Sequence, residues 1–252
     1  MSPKVLRAHS HREAFRLRAE HGGLEAVADR ATPASTAIAV ENIFSLLPLH
    51  ANDTLMDVGS GDGQFLRRAA PQVLRCAALD VSCTAATELR TRLHEHPNIV
   101  YACAVSEQLP FKSGSFSVAV INAVMPVLGS YEEAGRTVAE ISRVLVPGGQ
   151  AYFGEIPTID ERTTEDSSVG LLRRGWIKIR REGLGGLVRR LRDLRRQPTL
   201  IIAPNTLLFW PQDAFVSLLH KHGFQVEHIA THRTIGGPTS RLNYLARRVV
   251  SQ

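Results

Sequence analysis

Between residues 54 and 156, short apolar runs alternate with stretches of helical periodicity, and the first run breaks into a cluster of glycines. No other feature of the chain limits its fold as much. Thr54-Leu55-Met56-Asp57-Val58 runs into Gly59, Gly61 and Gly63, and the seven residues from Gln64 to Ala70 are compatible with a helix. Strand, glycine-rich turn and helix open a βαβ unit. The alternation continues with strands over 75–81, 99–104, 116–121 and 150–156 and helices over 84–94 and 131–145, with Pro147-Gly148-Gly149 as the last turn. Strands separated by helices imply a parallel sheet.

Helical spacing predicts two opening helices around residues 10–20 and 33–47, the second closed by Pro48. Residues 157–210 break the rhythm. After them a helix is expected over 211–222, with a proline at its start and Gly223 at its end. Two strand candidates follow at 224–231 and 242–250, joined by the turn-rich residues 236–240. A chain of 252 residues with 44% hydrophobic and 21% charged residues fits one globular unit, and disorder and collagen-like repeats are excluded.

The N-terminus is interrupted by charge every few residues, and no stretch reaches the roughly 20 uncharged residues that span a bilayer. A soluble cytoplasmic protein is expected. Cys76, Cys83 and Cys103 form no CxxC pair and no metal-ligand spacing, so three reduced thiols are expected. The net charge of +6 is localised: residues 171–197 hold ten Lys or Arg against Glu182 and Asp193, which leaves the rest of the chain slightly negative.

The chemistry-bearing residues begin at Asp57, an acid at the end of the first core strand, followed by the loop Gly59-Ser60-Gly61-Asp62-Gly63. A carboxylate there can hold an ammonium group, and glycines let the main chain approach a ligand. Roughly twenty residues on, Asp80 ends the second strand, where it can accept from both hydroxyls of a ribose. The dinucleotide fingerprint GxGxxG requires a third glycine where this chain has Gln64, so the pattern is DxGxGxG instead.

With these residues the sequence resembles the class I S-adenosylmethionine-dependent methyltransferases. Two further passages carry the resemblance: residues 107–116, with Leu109-Pro110-Phe111 and Ser115-Phe116, and residues 141–149, with Arg143-Val144-Leu145 and Pro147-Gly148-Gly149. The resemblance covers about residues 50–156. It implies a doubly wound, Rossmann-like α/β fold whose seven-stranded sheet is mostly parallel, with the last strand antiparallel and a helical lid inserted after the fifth strand. The domain reads as 1–48 N-terminal helices, 50–156 cofactor-binding core, 157–210 inserted basic lid and 211–252 the C-terminal part of the sheet.

By the same resemblance the cofactor is S-adenosyl-L-methionine and the product S-adenosyl-L-homocysteine. Asp57 and the loop Gly59, Ser60, Gly61 and Gly63 would contact the methionine moiety, and Asp80 with Val81 would hold the ribose and flank the adenine. Ser106 and Glu107 would lie near the adenine edge, and Asn122 near the amino-acid end. The chain departs from the family at Val105, where many relatives carry an adenine-binding Asp, and at Ser117, where many carry an acid.

The acceptor is less legible. Glu155 lies near the end of the fifth strand and is the candidate catalytic residue, as base or substrate ligand, against the alternative of a solvated Glu. His94 and His96, like His220 and His222, are spaced two apart and point to different helix faces, so no metal site is read from them. Leu172, Trp176 and Ile179 form one apolar stripe and Leu184, Leu187, Val188, Leu191 and Leu194 another, giving two amphipathic helices with arginine-rich outer faces. These faces fit a solvated lid, an anion clamp, peripheral contact of 171–197 with an acidic membrane, or a nucleic-acid backbone. Nucleic acid is the least favoured, because only Trp176 offers a stacking surface there. The sequence thus points to methylation of an O, N or C nucleophile on a small, polar or anionic metabolite. Methylation of RNA or a membrane lipid, and non-catalytic cofactor binding, stay as alternatives.

Overall fold

The computed structural model describes residues 4–27, 33–159, 199–204, 206–235 and 237–249. Its centre is a seven-stranded sheet built from β2 (Thr54–Val58), β3 (Arg75–Asp80), β4 (Ile99–Cys103), β5 (Phe116–Asn122), β6 (Leu145–Pro157), β8 (Phe224–Thr234) and β9 (Gly237–Arg248), in the order β4-β3-β2-β5-β6-β9-β8. All pairings are parallel except those of β9, which runs antiparallel to both β6 and β8. The mostly parallel α/β fold with an antiparallel last strand is therefore as expected. The strand order reverses between β2 and β5, and in such sheets ligands bind beyond the strand ends at that reversal.

Both faces of the sheet are buried, which is why its central strands read as unbroken apolar runs. Met56, Val58, Ala119 and Ile121 pack into one cluster with α5 (Tyr131–Val144) and α6 (Gln212–Lys221), while Leu55, Val118 and Val120 pack into another with α1 (His11–Val27), α2 (Pro33–Leu46) and α4 (Cys83–Arg92). The start of α5 is set by Ser130, whose hydroxyl accepts from the Glu133 N–H at 3.2 Å, while the Glu133 carboxylate accepts from Gly129 N–H. Its buried side chains Ala134, Thr137, Val138, Ile141 and Val144 recur at helical spacing.

The two family-like passages touch each other. Arg143 donates to the carbonyls of Phe111 (2.7 Å) and Leu109 (3.1 Å), and Glu140 accepts from the Leu109 N–H at 2.8 Å. Arg143 in turn holds the Glu140 carboxyl below its usual range. Ser117 is occupied elsewhere: its hydroxyl donates to Asp53 at 2.8 Å and its N–H to Thr54, tying the starts of β5 and β2 at the sheet edge opposite the C-terminal strand ends.

Three features differ from the sequence reading. Cys83 and Cys103 are joined by a disulfide with Cα atoms 4.9 Å apart, so the expectation of three reduced thiols is corrected. The parallel register sets Cys103 opposite Asp80, and the chain reaches Cys83 three residues later at the start of α4. Cys76 stays free and buried, and burial pushes its thiol up to about 12. Second, β7 (Thr199–Ile202) pairs in parallel with β1 (Lys4–Arg7), a two-stranded ribbon inside a region read as helical. The stripes at 172–179 and 184–194, and with them the basic segment 171–197, lie outside the described residues. Third, β6 begins at Leu145, so the 147–149 turn is an irregularity within the strand, marked by a register shift between Phe116 and Val118. Among the described residues no helix is long and apolar enough to cross a membrane.

Candidate active site

A cavity of about 860 Å³ opens at the C-terminal ends of β2, β3, β5 and β6, within the range of small-molecule sites. Asp57, Gly59, Gly61, Asp80, Val81, Ser106, Glu107, Asn122 and Glu155 all line it. Nine of the eleven site residues read from the sequence are thus brought together.

Ser60 and Gly63 stand behind the wall instead. The Ser60 hydroxyl donates to the Asp57 carbonyl at 2.9 Å and accepts from the Leu79 N–H at 3.1 Å, so it fastens the loop between β2 and β3. Gly63 caps α3 (Gln64–Ala69) at φ 77°, and a Cβ added there would lie 2.3 Å from Leu89 Cδ1 and 3.0 Å from Leu93 Cδ1. Gly63→Ala combines a left-handed backbone with displacement of two buried leucines, so it should destabilise the protein by about 2 kcal/mol or more and lower Tm by about 5 °C. Thermal unfolding followed by circular dichroism checks this; an unchanged Tm would show that the packing around Gly63 can relax. Gly61, at φ 53°, has no side chain near its absent Cβ, the nearest atom being the Gly59 carbonyl oxygen at 3.9 Å.

Two buried carboxylates dominate the electrostatics. Burial pushes the Asp57 carboxyl up to about 7, with the charges of Asp80 and Asp62 adding and a hydrogen bond from Ser60 opposing. Burial raises Asp80 as well, against N–H donation from Ser82, Gly61 and Val81. Desolvated acids of this kind call for a cation or hydroxyl donors. The Asn122 Oδ1 atom is also buried and without a hydrogen-bond partner. A ligand offering an ammonium group and a ribose diol supplies what these atoms lack, so the residues fit S-adenosylmethionine.

At another wall of the cavity Ser106 bonds to Thr137 Oγ1 at 2.9 Å and to Glu107, and Glu107 accepts from Arg12 at 2.6 Å. Val105 lines the cavity with no side-chain polar group to offer. Arg12, on α1, lies 95 residues from its partner, and no local pattern points to it. His11, Arg12 and Phe15 of α1, with Val40 and Ile43 of α2, cover the same cavity.

The opposite end is built by a β-bulge. Phe153 pairs with Tyr244 and Ile156 with Leu242, so Gly154 and Glu155 together oppose Asn243 alone. The extra residue puts Ile156 on the apolar face that strict alternation would give to Glu155. Glu155 takes φ 59°, a left-handed conformation costly for a side chain, and Ala123 at the tip of β5 takes φ 58°. Glu155 is 8% exposed. Its carboxylate accepts from Asn122 at 3.3 Å and pairs with Arg241 at 3.4 Å, and His232 Nε2 lies 3.9 Å from Oε1. His232, Arg241 and Asn243 were missed in the sequence, since only strand pairing brings them near.

Residues 56–153 match the family model described as "Methyltransferase domain". Among curated proteins, a malonyl-[acyl-carrier protein] O-methyltransferase of Marinomonas sp. (strain MWYL1) is 29% identical over 135 residues, covering 49% of this chain and 47% of that one. Nodulation protein S of Rhizobium tropici is 31% identical over 100 residues, covering 39% and 41%. The chain spans less than half the length of these curated relatives. Among solved structures, phosphoethanolamine N-methyltransferase 1 of Haemonchus contortus, in complex with phosphoethanolamine and S-adenosylhomocysteine, superposes with a TM-score of 0.68 at 15% identity, over 95% of this chain and 49% of that one. The family match starts in β2 and ends in β6, on this fold and around these two acids, so what residues 56–153 are similar to is a methyltransferase domain.

Proposed function

We propose that the protein transfers a methyl group from S-adenosylmethionine to an O, N or C nucleophile of a small, polar or anionic metabolite. The observation that carries this reading is that one cavity joins the two desolvated acids, Asp57 and Asp80, to the Glu155 cluster at its far end. Asp57 and the Gly59 to Gly61 turn would hold the methionine moiety, Asp80 the ribose hydroxyls, Val81 one face of the adenine, and Ser106 and Glu107 its edge. Asn122 sits between the two ends. The bound cofactor supplies an electrophilic methyl group on a sulfonium.

The chain itself supplies alignment and dryness, which for an in-line displacement account for much of the rate. Glu155 takes the proton of a hydroxyl or amine acceptor or orients it, and Arg241 beside it suits an anionic group on that acceptor. The Marinomonas protein is named for a malonyl group borne on acyl-carrier protein and the Haemonchus protein for phosphoethanolamine; both groups are anionic, which supports an anionic acceptor. The proposed setting is the cytoplasm, in which the exposed Cys83–Cys103 disulfide is open to reduction by glutathione.

Calorimetric titration of S-adenosylmethionine and S-adenosylhomocysteine into the full chain tests the reading. Micromolar binding of both is expected, followed by release of S-adenosylhomocysteine in a screen of hydroxyl, amine and carboxylate metabolites. Absence of binding by either compound would overturn it.

A further inference from the structure

We propose that Cys83 and Cys103 form a reversible redox site whose disulfide orders one wall of the large cavity and whose reduction by a small thiol such as glutathione loosens that wall. The consequence for cofactor affinity rests on the transferase reading; the ordering of the wall does not. Two chain segments that line the cavity are joined by this link. Asp80 and Val81 line it from the end of β3, and Cys83 follows as the first residue of α4. Ala104, Val105 and Ser106 line it directly after Cys103, the last residue of β4.

β4 stands at the edge of the sheet beside β3, and its last register pair is Cys103 with Asp80. The Ala104 N–H then donates to the Asp80 carbonyl at 3.0 Å, and the disulfide adds a covalent tie beside that bond. On the β3 side the Ser82 N–H donates to the Asp80 carboxylate at 2.9 Å, and the Ser82 hydroxyl caps α4 by accepting from the Ala85 N–H at 3.3 Å. The link therefore fastens the backbone on both sides of Asp80, the carboxylate that the cofactor reading gives to the ribose.

Both redox states are open to the pair. Cys83 and Cys103 are exposed, so a dissolved thiol reaches them. Their Cα atoms stand 4.9 Å apart, within the span of a disulfide, so the link can close again without backbone movement. Once reduced, Cys103 has an acceptor at hand, because its Sγ lies 3.8 Å from the Val81 carbonyl. Cys76 does not compete: it lies four residues, roughly 13 Å, down β3 from Asp80, is 2% exposed, and burial pushes its thiol up to about 12.

In the reduction a glutathione thiolate attacks one cysteine sulfur, and the S–S bonding pair leaves on the other. A second thiolate attacks the glutathione sulfur of the mixed disulfide and frees the first cysteine. Two electrons pass from two glutathione molecules to the protein, two protons end on Cys83 and Cys103, and oxidised glutathione departs. With the link open, binding has to order a wall that the oxidised chain presents already ordered, and affinity falls about tenfold. Linkage requires the converse: saturating cofactor makes the disulfide about tenfold harder to reduce, a shift of about 30 mV.

The test equilibrates the full chain in glutathione buffers of defined ratio, traps thiols with iodoacetamide and reads each cysteine by mass spectrometry. Cys83 and Cys103 should be alkylated together under reducing ratios and protected under oxidising ones, with Cys76 labelled only after unfolding. Amide exchange in peptides spanning 80–85 and 103–106 should quicken about tenfold on reduction. Calorimetry should find S-adenosylhomocysteine bound about tenfold more weakly by the reduced chain. Cys83→Ser combined with Cys103→Ser should match the reduced chain in both readouts and ignore the buffer. Equal exchange in the two states would overturn the proposal, as would unchanged affinity, failure of the pair to close, or unfolding of the chain on reduction. Binding in neither state defeats the transferase reading, and amide exchange then decides on the wall alone.

Discussion

Asp80→Ala should weaken S-adenosylhomocysteine binding by a factor of about 100 to 1,000 in calorimetry. Asp80 is 7% exposed at the end of β3, and the N–H of Ser82 reaches it at 2.9 Å, so its carboxylate is fixed before any ligand arrives. Each hydrogen bond from a ribose hydroxyl to a charged acceptor contributes roughly 1.5–3 kcal/mol, and two together correspond to two or three decades of affinity. Asp80→Asn keeps an acceptor oxygen and loses the charge, so its loss should be intermediate. Circular dichroism on both variants guards against unfolding as the cause. A change of less than threefold in Asp80→Ala would remove Asp80 from the cofactor site.

Asp57→Asn should make the ligand-free protein more stable above neutral pH and abolish tight cofactor binding. The buried Asp57 carboxyl titrates at about 7 in the folded chain against an ordinary value of 3.8. Because the folded-state value is the higher one, the native fold holds this proton more tightly than the unfolded chain does. The stability linked to it is fully present below about pH 4 and is lost as pH rises through 7. The interval from 3.8 to about 7 corresponds to roughly 4 kcal/mol. An amide does not ionise, so unfolding free energies of Asp57→Asn from denaturant titration should exceed those of the parent by a few kcal/mol at pH 8 and approach them near pH 4. The same amide cannot pair with an ammonium group. Parallel pH profiles for the two proteins would show that ionised Asp57 is solvated after all.

What the sequence discloses and what it hides follows the distance over which each feature is encoded. Asp57, the glycine turn and Asp80 are legible because strand, turn and helix signals lie within one βαβ unit. The same local reading does not set Ser60 and Gly63 apart, although they stand behind the cavity wall, since nothing in a linear pattern tells a glycine that faces a cavity from one that faces Leu89. Glu155 is visible as a residue, but its orientation depends on a bulge that alternation cannot reveal. Its partners His232 and Asn243 arrive only through the β8 and β9 registers, and Arg12 across 95 residues. The Cys83–Cys103 link is hidden for the same reason, arising from the β3–β4 register rather than from any cysteine motif.

The bulge at Gly154 and Glu155 also bears on how such a protein can change. The Asp57 and Asp80 wall of the cavity comes from one contiguous stretch around β2 and β3, whereas the Glu155 end is assembled from β5, β6, β8 and β9. A single inserted or deleted residue in β6 would shift which side chain faces the acceptor while leaving the Asp57 and Asp80 wall in register. Selection for a new acceptor can therefore act on one half of the molecule with little penalty in the other.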